Sequence, residues 1–200
     1  MINGYDFDET IYDGDSSVDF YFFCLRKNKK VLKQLPEQIK SFIKYKTKKI
    51  EKTEFKESVF SFLKHIDNVD EYVKEFWDKN YKKIKSWYFD QQEKTDVIIS
   101  ASPEFLLKPL EKKLKVKIIG SKVDKKTGKF DGKNCHDYEK ISRYEKELKK
   151  KNNIKRFYSD SIKADGAMFA YAEEAYLVTK NKITKLDKNK IDSKYKKVIW

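Results

Sequence analysis

Two hundred residues suit one domain, or one core domain that carries a sizeable insert. Hydrophobic residues at 39% and aromatics at 15% are enough to bury a core, which argues against global disorder. The net charge of +14 rests almost wholly on Lys, with Arg only at 26, 143 and 156; base readout leans on Arg forks, so a solvated Lys-rich surface is favoured over a nucleic-acid interface, although the positive field would draw anionic small molecules toward a cleft.

Cys24 and Cys135 show no CxxC spacing, so neither a disulfide framework nor a zinc site is expected. The first residues carry no basic segment and no long apolar run, and no stretch reaches the length of a membrane span. A cytoplasmic protein with no membrane partner is expected, its oligomeric state left open.

Ile2 to Phe7 is short and apolar and reads as a strand ending in an acidic loop. Helical spacing follows over 31–48, interrupted near Pro36, over 54–66 with Thr53 as N-cap, and over 69–88 with Asp67 or Asn68 as cap. Asp96-Val97-Ile98-Ile99-Ser100 is a continuous apolar run, the mark of a strand buried on both faces. A helix is predicted after it, with Ser102 as N-cap, Pro103 at the first helical position and Glu104 in the first turn. Val116 to Val123 reads as a strand, and Lys125 to Lys129 as a turn leading to Phe130-Asp131-Gly132 in a hairpin. A charged helix over 137–150, a strand over Lys155–Ser159, a helix over Asp165–Ala175 and a short strand over Ala175–Val178 complete the pattern. The Lys-rich tail after 180 is expected to be loosely ordered.

Strand and helix alternate from 96 to 178, after a long helical block. The predicted fold class is therefore α/β: a Rossmann-like core whose mostly parallel sheet is flanked by helices, with an all-helical cap inserted after the first strand. The core takes residues 1–14 and 93–200, and the cap 15–92.

Four constellations fall at predicted C-terminal ends of strands, the edge where open α/β sheets bind ligands. Asp6-Phe7-Asp8-Glu9-Thr10 sets two carboxylates two residues apart. One can attack phosphorus, the other can move a proton, and both offer oxygen to a hard cation. Ser100-Ala101-Ser102 offers hydroxyls and free N–H groups at a strand-to-helix junction, suited to phosphate. Lys140, after Gly132 to Glu139, could offset charge on a nucleophile and a phosphoryl group. Asp160 and Asp165 follow the strand ending at Ser159 and can complete a magnesium site with Asp6. The Cys135-His136 pair reads as incidental, and His65 as a packing or surface residue.

The order and placement of these four stretches resemble the haloacid dehalogenase superfamily, in particular its phosphoserine-phosphatase-like branch with a helical cap between the first and second motifs. The likeness runs from Gly4 to about Val178. It implies Asp6 as nucleophile and magnesium ligand, and Asp8 as general acid/base with its backbone carbonyl on the metal. It also implies Ser100 on the transferring phosphoryl group, Lys140 neutralising Asp6 and phosphate, Asp160 on magnesium and Asp165 in support of the metal shell. Thr10 orders the loop and, with Asp15, Ala101 and Ser102, stands on the substrate side. Asp15 lies where relatives acting on phosphoserine carry an acid for the amino group. The last-motif acids are usually four apart and here are five apart. The implied activity is magnesium-dependent hydrolysis of a small phosphomonoester through an aspartyl phosphate. Transfer to an acceptor other than water shares the first step and stays open.

Overall fold

The computed structural model describes residues 2–149, 151 and 154–191. Among them, six strands form one sheet: β1 (Ile2–Tyr5), β2 (Val97–Pro103), β3 (Lys117–Ser121), β4 (Ile154–Ser159), β5 (Glu174–Thr179) and β6 (Lys182–Lys185). Their order is β3-β2-β1-β4-β5-β6. The first five run parallel and β6 closes one edge antiparallel to β5. The apolar run predicted for β2 is buried on both faces: Ile98 enters one core and Val97 and Ile99 the other.

Between β1 and β2 stand α1 (Ser16–Lys27), α2 (Leu35–Lys46), α3 (Lys52–Phe60), α4 (Val69–Asn80) and α5 (Ser86–Gln91). Later helices are α6 (Glu104–Leu107), α7 (Pro109–Leu114), α8 (Tyr138–Leu148) and α9 (Ile162–Tyr171). One core joins Tyr5, Ile98 and Ile118 of the sheet to Phe20, Phe76 and Trp77 of the insertion and to Leu106. The other packs α8 and α9 on the opposite face through Tyr144, Met168 and Phe169. The sheet is thus covered on both sides, the α/β architecture the alternation predicts. Tyr5, Tyr158 and Tyr176 occupy one register across three strands and stack with centroids 4.7 and 4.8 Å apart. Among the described residues no helix is long and apolar enough to cross a membrane.

Several boundaries differ from those predicted. Pro36 does not interrupt a helix; it stands in the first turn of α2, where its fixed φ fits and its missing N–H is not needed. The segment before it is a 3-10 turn over Lys29–Gln34. The helix predicted over 54–66 starts earlier, with Thr53 inside it, and passes into a 3-10 turn at Ser61. Asn68 does cap α4, accepting from the Glu71 N–H. The helix predicted over 69–88 breaks after Asn80, because Ile84 bridges to Tyr12 and the Lys85 N–H donates to the Ile11 carbonyl. Ser102 is not an N-cap: β2 continues through it and Pro103 takes the cap position. The last helix begins at Ile162 under a Ser161 cap and ends at Tyr171, where Ala172 turns extended. Beyond residue 180, β6 is an ordered edge strand, and residues 192–200 lie outside the described ones.

The predicted hairpin appears as a bridge between Val123 and Phe130 around a turn organised by the Asp124 carboxylate. Its tip seats against the end of α3. Gly128 has φ +76°, and a Cβ there would lie 2.3 Å from the Phe60 carbonyl oxygen.

Trp77 ties the insertion to the sheet. It packs edge-on against Phe7 and Tyr12, and its indole N–H donates to the Leu106 carbonyl at 2.6 Å. Trp77→Ala is expected to cost about 3–5 kcal/mol, through the cavity and the unpaired carbonyl it leaves. Urea titration should then show one transition with a lower midpoint, and a midpoint at the wild-type value would contradict this account of the packing.

Candidate active site

The alternation at the end of β1 does the first placing. Phe7 is fully buried in the core, so Asp6 and Asp8 on either side of it turn to the opposite face, above the sheet edge. The Asp6 N–H donates to the Tyr158 carbonyl of β4 at 2.8 Å, which holds the turn beside β4. Further on, Ile11 and Tyr12 both donate to the Phe7 carbonyl, and Glu9 to Gly14. These bonds fold 6–14 into a tight loop that delivers Ser16 back to Asp8.

Asp8 is gripped on both oxygens. The Ser16 N–H donates to Oδ1 at 2.7 Å and the Ser102 hydroxyl to Oδ2 at 2.5 Å. Burial and the nearby Asp15 charge push its carboxyl up to about 6, against the two serine bonds. Asp6 is buried too, and burial drives its pKa upward despite the Lys140 ammonium. Lys140 Nζ stands 2.6 Å from Asp6 Oδ1 and 2.7 Å from Asp165 Oδ1. The two carboxylates lift the lysine's pKa above its ordinary value in spite of burial, so it stays charged.

The spacing of five between Asp160 and Asp165 is absorbed by a kink. Asp165 adopts non-helical φ/ψ of −128° and 20° inside α9, and its Oδ2 accepts from the Ser159 hydroxyl at 2.7 Å. Asp160 sits at the open end of β4, its N–H donating to Thr10 Oγ1 at 2.9 Å. The Thr10 hydroxyl in turn faces Asp6 Oδ2 at 3.4 Å and Asp160 Oδ1 at 3.5 Å. Asp6 and Asp160 therefore converge on one point.

Asp6, Asp8, Asp15, Ala101, Ser102, Lys140, Asp160 and Asp165 all line one cavity of about 720 Å³. Thr10 lies just behind it through the bonds above. Ser100 stands apart: it is buried, and its hydroxyl accepts from the Ser102 N–H at 3.0 Å. Asp15 spends Oδ1 on the N–H groups of Ser17 and Val18, capping α1.

Lys52 and Lys56, neither of them a candidate from the sequence, also line the cavity, as does His136. Lys56 Nζ donates to the Ala101 carbonyl at 3.0 Å and to Asn134 Oδ1 at 3.1 Å, and burial lowers its pKa to about 8. Lys52 and Lys56 are one helical turn apart on α3, a signal lost among so many lysines. His136 is on the cavity wall, while its neighbour Cys135 is buried in the second core, so the two do not form a pair within one site.

A hard cation suits the oxygen donors. Among the described residues no cluster of three or more His, Cys, Asp or Glu is arranged as a metal site. Magnesium, however, asks for only one or two carboxylates, with water or substrate oxygens supplying the rest. Asp6 and Asp160 provide two, and both are raised by burial and by neighbouring carboxylates, the condition that a cation relieves.

A family model of haloacid dehalogenase-like hydrolases matches residues 4–169. The chain belongs to that family. As a haloacid dehalogenase-like hydrolase it shares its fold with solved structures of low identity. A protein with unknown function from Bordetella pertussis Tohama I superposes with a TM-score of 0.69 at 14% identity, over 87% of this chain and 88% of that one. A phosphoserine phosphohydrolase-like protein from Francisella tularensis subsp. tularensis SCHU S4 gives 0.54 at 15% identity, over 90% and 88%. No curated protein matches the sequence.

Burial, with Lys52, Lys140 and Lys56 nearby, lowers the His136 pKa to about 4, so the ring is neutral at neutral pH. Between about 4 and the usual 6.5 the unfolded chain holds a proton there that the folded chain does not. Stability contributed at this site is thus complete above 6.5 and falls as pH drops toward 4. His136→Asn should remove about 1 kcal/mol of the wild-type loss over that window, after discounting for the ring's partial exposure. Parallel urea titrations of both proteins across the window check this, and identical losses would refute it.

Proposed function

We propose that the chain is a magnesium-dependent phosphomonoester hydrolase working through an aspartyl phosphate on Asp6. The observation that carries this reading is the pair Asp6 and Asp8 at the end of β1, with Lys140 Nζ 2.6 Å from Asp6 Oδ1, in a hydrolase family. Residues 1–14 and 93–200 act as the catalytic core, and 15–92 as a helical cap that excludes bulk water. Buried thiols at Cys24 and Cys135, both free, go with a cytoplasmic setting.

Asp6 attacks phosphorus in line, and the bond from phosphorus to the leaving oxygen breaks. Asp8, its pKa raised to about 6, hands its proton to that oxygen. It then takes a proton from water, which attacks phosphorus and releases phosphate and free Asp6. Lys140 holds Asp6 Oδ1 and offsets the charge that gathers there. Asp165 positions Lys140, and Ser16 and Ser102 fix the Asp8 carboxylate. Lys56, bonded to the Ala101 carbonyl near the end of β2, supplies further positive charge at the phosphoryl end; Ser100 serves there by holding Ser102. Magnesium would be held by Asp6, the Asp8 backbone carbonyl and Asp160, and would neutralise phosphoryl oxygens.

Phosphate release from a panel of small phosphomonoesters, with magnesium or with chelator, tests the reading. Asp6→Asn should lower turnover by roughly a thousandfold or more, because no other group replaces the nucleophile. Asp8→Asn should cost on the order of 10²–10⁴. Release that survives Asp6→Asn at the wild-type rate, or that ignores chelator, counts against it. Product analysis with added alcohols separates hydrolysis from transfer.

A further inference from the structure

We propose that the preferred substrate is an amphiphile: a phosphomonoester whose leaving group is a long apolar chain lying along α2. This rests on the phosphatase reading above and names its substrate class. The cavity has two unlike ends. Its floor holds Asp6, Asp8 and Asp160 at the strand ends and Lys140 from α8. Its wall is built by the insertion and is largely apolar away from Lys52 and Lys56, with Val18 and Tyr21 from α1, Leu35, Ile39 and Phe42 from α2, and Phe55 from α3. At about 720 Å³ it suits a drug-sized molecule more than a phosphorylated amino acid.

The helix α2 is turned inside out. Its polar Gln38 and Ser41 are buried, whereas Leu35, Ile39, Phe42 and Ile43 are 40–57% exposed. Gln38 has partners that explain its burial: it accepts from the Tyr21 hydroxyl at 3.0 Å and donates to the Val59 carbonyl at 2.9 Å. Packing against α1 runs through Gln38, and packing against α3 through Gln38 and through Phe55, on which Tyr45 stacks and Phe42 leans; Leu35, Ile39 and the outer part of Phe42 are left for something outside the fold. A run of large apolar side chains on a surface calls for a cover. Three of the four line the same cavity as the reacting carboxylates, so a ligand anchored at Asp6 would cover them.

The charged groups do not favour a polar leaving group. Lys56 is bonded at the end of β2, and Lys52 lies in the field of Asp165 and Lys140, both at the phosphoryl end. Asp15 has committed Oδ1 to capping α1 and lies in the field of Lys56.

Steady-state kinetics on n-alkyl phosphates from ethyl to decyl, each below its micelle concentration, with phosphoserine alongside, test the inference on the full chain with magnesium. The value of kcat/KM should rise by about threefold per added methylene over the first several carbons, and phosphoserine should rank with the shortest members. Ile39→Asn and Phe42→Asn should each lower the decyl-to-ethyl ratio at least about tenfold, given the apolar contact each removes. Ile43→Asn, exposed on the same helix but outside the cavity, should keep the ratio. A flat or falling series with turnover still dependent on Asp6 would overturn the inference and leave the phosphatase reading intact. Equal loss of the ratio in all three variants, or sedimentation as a dimer together with a flat series, would overturn it too. Absence of release from every phosphomonoester would end both readings.

Discussion

Lys140 sets a single ammonium, 2% exposed, between the carboxylates of Asp6 and Asp165. A charge so deeply buried is tolerable only with its partners in place, and each partner comes from a different part of the chain. Asp6 closes β1, Lys140 opens α8, and Asp165 lies at the kink of α9. Meeting at one point fixes these three elements relative to one another. Arg143, one turn along α8 from Lys140, extends the constraint to β3 by donating to the carbonyls of Gly120 and Lys133. The loop that precedes α8 is thereby pinned where Asn134 accepts from Lys56 and His136 lines the cavity. The departure of Asp165 from helical geometry follows from the same demand, since its carboxylate must serve both Lys140 and Ser159.

The insertion adds a surface of opposite character. Its join to the sheet is a shared hydrophobic core through Trp77, Phe76 and Phe20, and the Gly128 turn holds the far end of α3. The part that faces Asp6 and Asp8 is mostly apolar, with Asp15, Lys52 and Lys56 the charged residues it brings. In the proposed reaction, proton transfer falls to Asp8 after β1 and charge neutralisation to Lys140 of α8 and Lys56 of α3, while the remaining contact with a substrate falls to the apolar helices.

Much of this was legible in the chain itself. The Asp6-Phe7-Asp8 alternation, the Val97–Ser100 run and the strand before Asp160 point to an α/β sheet with acids at one edge, because burial and period 2 act locally. The places where reading failed are those where distant residues decide. Helix α4 ends at Asn80 because Tyr12, far back in the chain, pairs with Ile84. Ser102 stays in a strand because its hydroxyl is claimed by Asp8. Ser16–Lys27 was not resolved as a separate helix, its aromatic residues lying on more than one face. No periodicity could reveal that α2 buries Gln38 and shows Ile39 to solvent, since that reverses the usual rule. Lys56 was hidden by composition, one lysine among many.

The reversed helix has an evolutionary consequence. In most helices the apolar positions answer to the stability of the fold, and substitution there is purged. In α2, Leu35 and Ile39 stay largely exposed, while Gln38 is bonded to α1 and α3 and Phe42 and Tyr45 pack on Phe55. On the substrate class proposed above, mutations at Leu35 and Ile39 would fall on substrate contact at little cost to foldedness or to the acids. Lineages of this protein can drift in what they accept by altering one short helix, with Asp6, Asp8 and Lys140 held constant.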